Sequence, residues 1–144
     1  AEHLWFDPPV DPGISADLTF LNGVAGREHS EDHAVHTAEL FNQLHPMLVG
    51  TTGLTLFPGT PLIDDVNNGT FTPLSEKEMF QELRLFVEHL NIDCTFTTHH
   101  TISTYLSGPD FLKNKNRILE TLDREIEHGD MDRYAAIRSQ KRTL

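Results

Sequence analysis

The feature that most constrains the fold of this chain is a repeated order of strand-like run, glycine-containing loop and amphipathic segment. The first repeat opens with ADLTFLNG, in which Leu18, Phe20 and Leu21 form a short apolar run closed by Gly23. Such a run is typical of a buried strand. Ser30 is then predicted to cap a helix that ends at Pro46. The apolar face of this helix comprises Ala34, Ala38, Phe41 and Leu44.

The second repeat begins with MLVGTTGLTLF, which predicts a strand over residues 47–57, followed by the loop PGTPL. Asn67, Asn68 and Gly69 indicate a turn before the next helix. Ser75 and Glu78 have the spacing of a capping box and mark where that helix begins. Its predicted buried stripe comprises Met79, Leu83, Phe86, Val87 and Leu90.

The third repeat begins with IDCTFTT, in which apolar and polar residues alternate, so that a strand with one wet face is expected. Asp110 is predicted to cap the following helix and Gly129 to end it. A short helix around Tyr134 and Ile137 completes the chain. The stripe expected to be buried on the longer helix comprises Ile118, Leu119, Leu122 and Ile126.

Three strand-then-helix units in sequence predict an α/β fold with a mostly parallel sheet. The sheet is either a small open one or part of a (β/α) barrel. Residues 1–13 carry three prolines and are expected to form an extended arm, whose Trp5 and Phe6 need an apolar surface. Residues 14–144 then form the α/β domain.

Composition excludes several classes of function. The 144 residues contain 22 acidic and 11 basic residues, a net charge of −11, so the average field repels nucleic-acid phosphates. The densest basic patch, at Arg133, Arg138, Lys141 and Arg142, is explained by cations favouring a helix C-terminus. No run of 18 apolar residues and no signal-like leader occurs, so no membrane span is expected. The single Cys94 favours a cytoplasmic setting.

Three histidines follow the first glycine loop in the stretch LNGVAGREHSEDHAVH. His29, His33 and His36 are spaced as a metal triad on one helical face would be. A helix that starts after Ser30 leaves His29 outside it and turns His36 toward the polar side. No HExxH or cysteine-paired spacing accompanies them, so no metal site is predicted.

Two glycine loops follow neighbouring predicted strands. Gly23 and Gly26 precede a helix N-terminus, a place that suits an anion or a nucleotide as well as a plain tight turn. The pattern is neither GxGxxG nor a P-loop. LFPGTPL occupies the same position after the second strand, at the edge where α/β folds bind ligands. His99 and His100 follow the third strand and are either substrate contacts or polar loop residues.

The segments FLNGVAGREHSEDHAVHTAELFNQLHP, TTGLTLFPGTPL, ELRLFVEHL and FTTHHTISTYL together resemble the carboxyl-terminal part of a radical S-adenosylmethionine (SAM) enzyme of the Fe–S oxidoreductase type. The resemblance runs from about Asp17 to about Asp123 and includes the order and spacing of all four segments. It implies a partial (β/α) barrel that holds SAM at the carboxyl ends of its strands.

The resemblance also implies which residues contact the adenine of SAM. A glycine of the family's strand motif is Thr19 here, and the acidic residue that often closes the motif is Gly26. The implied contacts are Leu21, Asn22, Gly23, Val24 and Gly26 after the first strand, and Leu56, Phe57, Pro58 and Gly59 after the second.

The family's chemistry needs a CxxxCxxC loop that holds a [4Fe–4S] cluster, and a chain with one cysteine cannot supply it. We therefore expect a carboxyl-terminal fragment of a radical SAM enzyme. It would contribute SAM and substrate contacts, bind no cofactor and be inactive alone. Without the missing N-terminal half of the barrel, it is expected to form a homodimer through the Trp5-containing arm or an edge strand. The alternatives are a stand-alone α/β nucleotide-binding or interaction module and, third, a histidine-based metal hydrolase.

Overall fold

The protein is described by a computed structural model that covers residues 15–100 and 106–140. The predicted arm, residues 1–13 with Trp5, lies outside this range. The elements are β1 (Asp17–Asn22), α1 (Ser30–Leu44), β2 (Leu48–Gly53), α2 (Pro61–Asn68), α3 (Glu76–His89), β3 (Thr95–His100), β4 (Ser107–Gly108), α4 (Phe111–His128) and α5 (Met131–Ser139).

The sheet has the order β1-β2-β3-β4. The first three strands are parallel, and the two-residue β4 pairs antiparallel with β3. The predicted α/β class with a mostly parallel sheet is confirmed, and the three strand–helix units are present. The described sheet is open rather than closed into a barrel, with β1 at one edge.

The hydrophobic core lies between one face of the sheet and the helices. Phe20 of β1 stacks on Phe86 of α3 with ring centroids 4.1 Å apart, and Phe41 of α1 meets the same Phe86 edge to face at 5.7 Å. On the far side, Phe96 of β3 contacts Phe111 of α4 at 5.2 Å. Burying each of these side chains stabilises the fold by about 1.5–3 kcal/mol. The helices α1, α3 and α4 therefore cover this one face.

The opposite face of the sheet is partly exposed and rich in threonine. Thr19, Gly50 and Thr97 lie side by side across β1, β2 and β3 in the pairing register; Thr19 is exposed, and Gly50 and Thr97 are half-buried. The Thr97 hydroxyl oxygen is itself inaccessible and has no hydrogen-bond partner within the described residues. The two faces thus differ sharply in polarity.

The helix α3 begins as predicted. The Ser75 hydroxyl accepts from the Glu78 backbone N–H, and the Glu78 carboxylate accepts from the Ser75 N–H, which completes the capping box. The five residues predicted for its buried stripe are all buried. Gly129 and α5 also lie where the sequence predicts them.

Several local predictions were wrong. The strand predicted over 47–57 ends at Gly53, and part of the PGTPL loop begins the unpredicted helix α2, with Pro61 at its first position. The third strand starts at Thr95 rather than Ile92. Asp110 holds the N-cap position of α4 with φ 59°, but its side chain forms no capping bond.

Ser30 is the first residue of α1 rather than its cap. His29 occupies the cap position and makes no side-chain hydrogen bond to the helix. The Ser30 hydroxyl instead bonds to a distant residue in α3, described below. No helix in the described ranges is long and apolar enough to cross a membrane.

Candidate functional site

The loops after β1 and β2 meet at the carboxyl edge of the sheet. Gly23 (φ +89°) and Gly26 (φ +72°) bend the first loop, and the Gly26 N–H donates to the Gly23 carbonyl at 3.1 Å. Only glycine adopts such angles freely. The second loop is tied to the first, because the Leu54 N–H donates to the Asn22 carbonyl at 2.8 Å. The two loops therefore form one rigid corner.

A buried carboxylate from α3 fixes the first loop. Glu82 is 2% exposed, and its Oε1 accepts from the Gly23 N–H at 2.7 Å and from Asn22 Nδ2 at 2.8 Å. Its Oε2 accepts a hydrogen bond from the Ser30 hydroxyl. The Asn22 side chain is fully buried, and its Oδ1 has no partner within the described residues. Glu82 thereby connects β1, the turn and the start of α1.

His33 fastens the same turn from α1. Its Nε2 lies 3.0 Å from the Leu21 carbonyl oxygen, and its ring stacks on Phe20 with centroids 4.9 Å apart. Thr37 lies 3.3 Å from the other ring nitrogen. His29 and His36 are exposed. Within the described residues no three histidine, cysteine, aspartate or glutamate side chains are grouped to hold a metal ion.

A cavity of about 260 Å³ opens where the two loops meet α5. Gly23 and Leu56 line it together with the beginning of α3. Arg138 of α5 closes one side and forms an ion pair with Glu76, with Nε to Oε1 at 2.6 Å. These two side chains are 20% and 12% exposed. The other lining residues are Leu54, Thr55, Pro73, Leu74, Met79, Ala135 and Ser139.

A second, more polar cleft of about 510 Å³ lies behind the turn, between the start of α1 and α3. Ser30 and Glu82 form its inner wall. Arg27 at its rim bonds to Glu78, with Nε to Oε1 at 2.7 Å. The hydrogen bond from Arg27 lowers the pKa of the Glu78 carboxyl, while burial opposes the shift. Glu31 also faces this cleft and is exposed.

The residues expected to contact adenine are dispersed in the structure. Gly23 and Leu56 line the smaller cavity. The Leu21 carbonyl is bonded to His33, and Asn22 is buried against Glu82. Gly26 is buried, and a side chain there would approach Phe71. Outside the cavity wall, Val24 is 41% exposed, Phe57 is half-buried, and Pro58 and Gly59 are exposed in the loop before α2.

His99 and His100, the candidate substrate contacts, form the end of β3, and the backbone of His100 pairs with Thr52. Their side chains and residues 101–105 lie outside the described part of the structure. Cys94 precedes β3, is 6% exposed, and burial raises the pKa of its thiol to about 11, with a smaller effect from the Asp93 charge. It is a packed core residue, which does not suit a cluster ligand.

Sequence reasoning missed Glu82 and the role of Arg138. Glu82 lies on the same stripe as Met79, Leu83 and Phe86, so a charged residue at a predicted core position was a usable signal. Arg138 was grouped with the basic patch at the C-terminus, yet it bonds to Glu76 at the start of α3. No local pattern signals that pairing. Comparison with protein-family models, curated proteins and solved structures gives no match to this chain.

Proposed function

We propose that this chain is the carboxyl-terminal part of a radical SAM-type (β/α) barrel in which it contacts the adenine of SAM and the substrate. The observation that carries the proposal is the cavity at the carboxyl edge of β1 and β2. Its wall includes Gly23 and Leu56, one residue from each loop that the resemblance assigns to adenine. Ligands of α/β folds bind at this edge.

The sheet supports the same proposal. Its three parallel strands follow one another in chain order, as they do around a barrel, and the core helices of the described residues pack on one face. The threonine-rich face would then point into the barrel. The partner that completes the barrel is the cluster-bearing N-terminal half, and the compartment that suits this chemistry is the cytoplasm.

The cavity fits part of SAM rather than all of it. A drug-sized ligand site measures about 300–1,000 Å³, whereas this cavity holds about 260 Å³. The surfaces offered by Gly23 and Leu56 suit packing against a flat ring, because the polar groups of the adjacent backbone at Leu21 and Asn22 are already bonded within the chain. In the complete barrel, SAM would supply the adenosyl group for hydrogen abstraction.

The [4Fe–4S] cluster does not fit the residues present. Its ligands must be thiolates, and the single Cys94 is buried with its thiol pKa raised to about 11. The chain alone is therefore proposed to be inactive, with the cluster contributed by the preceding half. A stand-alone α/β module that binds a nucleotide or another protein remains the competing proposal.

Adenosine binding followed by NMR tests the proposal. Millimolar adenosine or SAM should shift the amide resonances of Gly23, Leu54 and Leu56, and Leu56→Asp should weaken this response about tenfold or more by placing a charge against the ring. Leu112→Asp, at an exposed position of α4, is the matched control and should leave the response unchanged. Equal loss in both variants, or no response of the wild type, would contradict the proposal.

The coding sequence upstream of Ala1 provides an independent test. It should encode strand–helix units with a CxxxCxxC loop. An initiating methionine codon directly before Ala1, preceded by a stop codon, would overturn the fragment proposal and leave the stand-alone module.

A further inference from the structure

The turn between β1 and α1 has the donors of an anion site, but the chain itself fills that site. A phosphate in such a turn is bound by backbone N–H groups, by hydroxyls and by the positive end of the helix. Here the Gly23 N–H and the Ser30 hydroxyl, at the first residue of α1, both donate to Glu82. Asn22 Nδ2 is the third donor.

Because Glu82 is buried, its carboxylate depends on these hydrogen bonds. A carboxylate that is 2% exposed is stable only when hydrogen bonds replace its hydration. Both oxygens accept hydrogen bonds, and the start of α1 adds a favourable dipole. A ligand phosphate would have to displace this carboxylate or lie beside it and be repelled.

We propose that Glu82 is a specificity-determining residue whose carboxylate fills the anion position of the Gly23 turn and excludes ligands that carry a phosphate there. The turn then accepts a nucleoside through its other side, where Gly23 faces the 260 Å³ cavity. The choice of a nucleoside over a nucleotide rests on the proposed function, whereas the filled anion position stands on the contacts of Glu82 alone.

The variant Glu82→Ala exposes the anion position to test. It leaves three donors without an acceptor, and the 510 Å³ cleft, whose wall includes Ser30 and Glu82, offers a route for a small anion. Inorganic phosphate at constant ionic strength should raise the Tm of Glu82→Ala by about 5 °C and that of the wild type by less than about 1 °C.

The matched control is Glu31→Ala. It removes one negative charge from the same cleft but none of the hydrogen bonds that Gly23, Asn22 and Ser30 donate to Glu82, so its Tm should respond to phosphate as the wild type does. Equal responses of the wild type and Glu82→Ala, or no response of Glu82→Ala, would overturn the proposal. Adenosine binding is measured in the separate NMR titration, so failure of the proposed function can be told apart from failure of this proposal.

If Glu82→Ala does not fold, the wild type carries the test by NMR. The proposal requires a scalar coupling across the hydrogen bond between the Gly23 amide nitrogen and the Glu82 carboxyl carbon. It also requires a Gly23 amide resonance that does not move when phosphate is added. Absence of the coupling, or a saturable shift of Gly23 with phosphate, would overturn it.

Discussion

Two polar side chains, the buried Glu82 and the half-buried His33, hold the loop after β1 in its conformation. Glu82 and His33 come from different helices, and each bonds to the backbone of this loop, at Gly23 and Leu21 respectively. A buried polar group without a partner costs about 1–3 kcal/mol, so each group disfavours any loop conformation that would break its bond. The loop is thus held from two sides by side chains.

The Cys94 thiol should make stability depend on pH in the alkaline range. Burial raises its pKa to about 11, above that of an exposed thiol at about 8.5, so the folded state holds the proton more tightly. This contribution is fully present below the unfolded pKa and is lost as the pH rises toward about 11. Urea unfolding between about pH 8 and pH 11 should show a steeper loss for the wild type than for Cys94→Ala. Parallel curves would contradict this.

Glycine is favoured for two separate reasons, which a comparison of Gly23, in the turn after β1, with Gly69, at the end of α2, distinguishes. Gly23 and Gly69 both have positive φ, at +89° and +82°. A Cβ at Gly23 would lie 2.8 Å from Sδ of the buried Met79. A Cβ at Gly69 would have no atom within 4 Å. Conformation therefore favours glycine at both positions, and packing requires it at only one.

Alanine at these two glycines should separate the two effects. Gly69→Ala should lower the free energy of unfolding by about 1 kcal/mol through backbone strain. Gly23→Ala should lower it by about 1 kcal/mol more, because the end of the Met79 side chain must shift to make room for the new Cβ. Urea titration of both variants measures the difference. Equal losses would show that the contact with Met79 is relieved without cost.

At the scale of the whole molecule, α5 covers the carboxyl edge of the sheet. Tyr134 contacts Phe80 at 5.5 Å, and Arg138 pairs with Glu76 across the cavity. Gly53 at the end of β2 leaves room for the Arg138 guanidinium, because a Cβ at Gly53 would collide with it. The helix therefore forms part of the cavity wall.

Removing the ion pair should loosen α5 without unfolding the core. In Arg138→Ala, amide exchange of residues 131–139 should accelerate about tenfold or more, while α3 and β1 keep their protection. Arg133→Ala, an exposed residue of the same helix, is the matched control. Hydrogen exchange read by mass spectrometry distinguishes the outcomes, and unchanged exchange of α5 would show that its apolar contacts suffice.

The outer edge of β1 should cause the isolated chain to associate. No strand within residues 15–100 and 106–140 pairs with that edge, and exposed strand edges bind other strands. Sedimentation velocity should therefore show a dimer whose population grows with concentration. A clean monomer at high concentration would contradict this and favour an edge covered by the chain's own residues.

The sequence alone determined the features that arise from neighbours along the chain. The apolar stripe and capping box of α3, the apolar run of β1 and the glycine after α4 are patterns of close spacing, and they predict the three strand–helix units. The boundaries of β2 and β3 were predicted less well, because apolar residues continue beyond the last paired residue of β2 and precede the first of β3.

Only the tertiary structure decided which side chains meet at the carboxyl edge. Glu82 reaches Asn22 across 60 positions, and Arg138 reaches Glu76 across 62. Such pairs depend on how helices pack on the sheet, which no short spacing encodes. The sequence therefore located a glycine turn but not the group that binds there. The packing of α3 placed the buried Glu82 carboxylate against that turn.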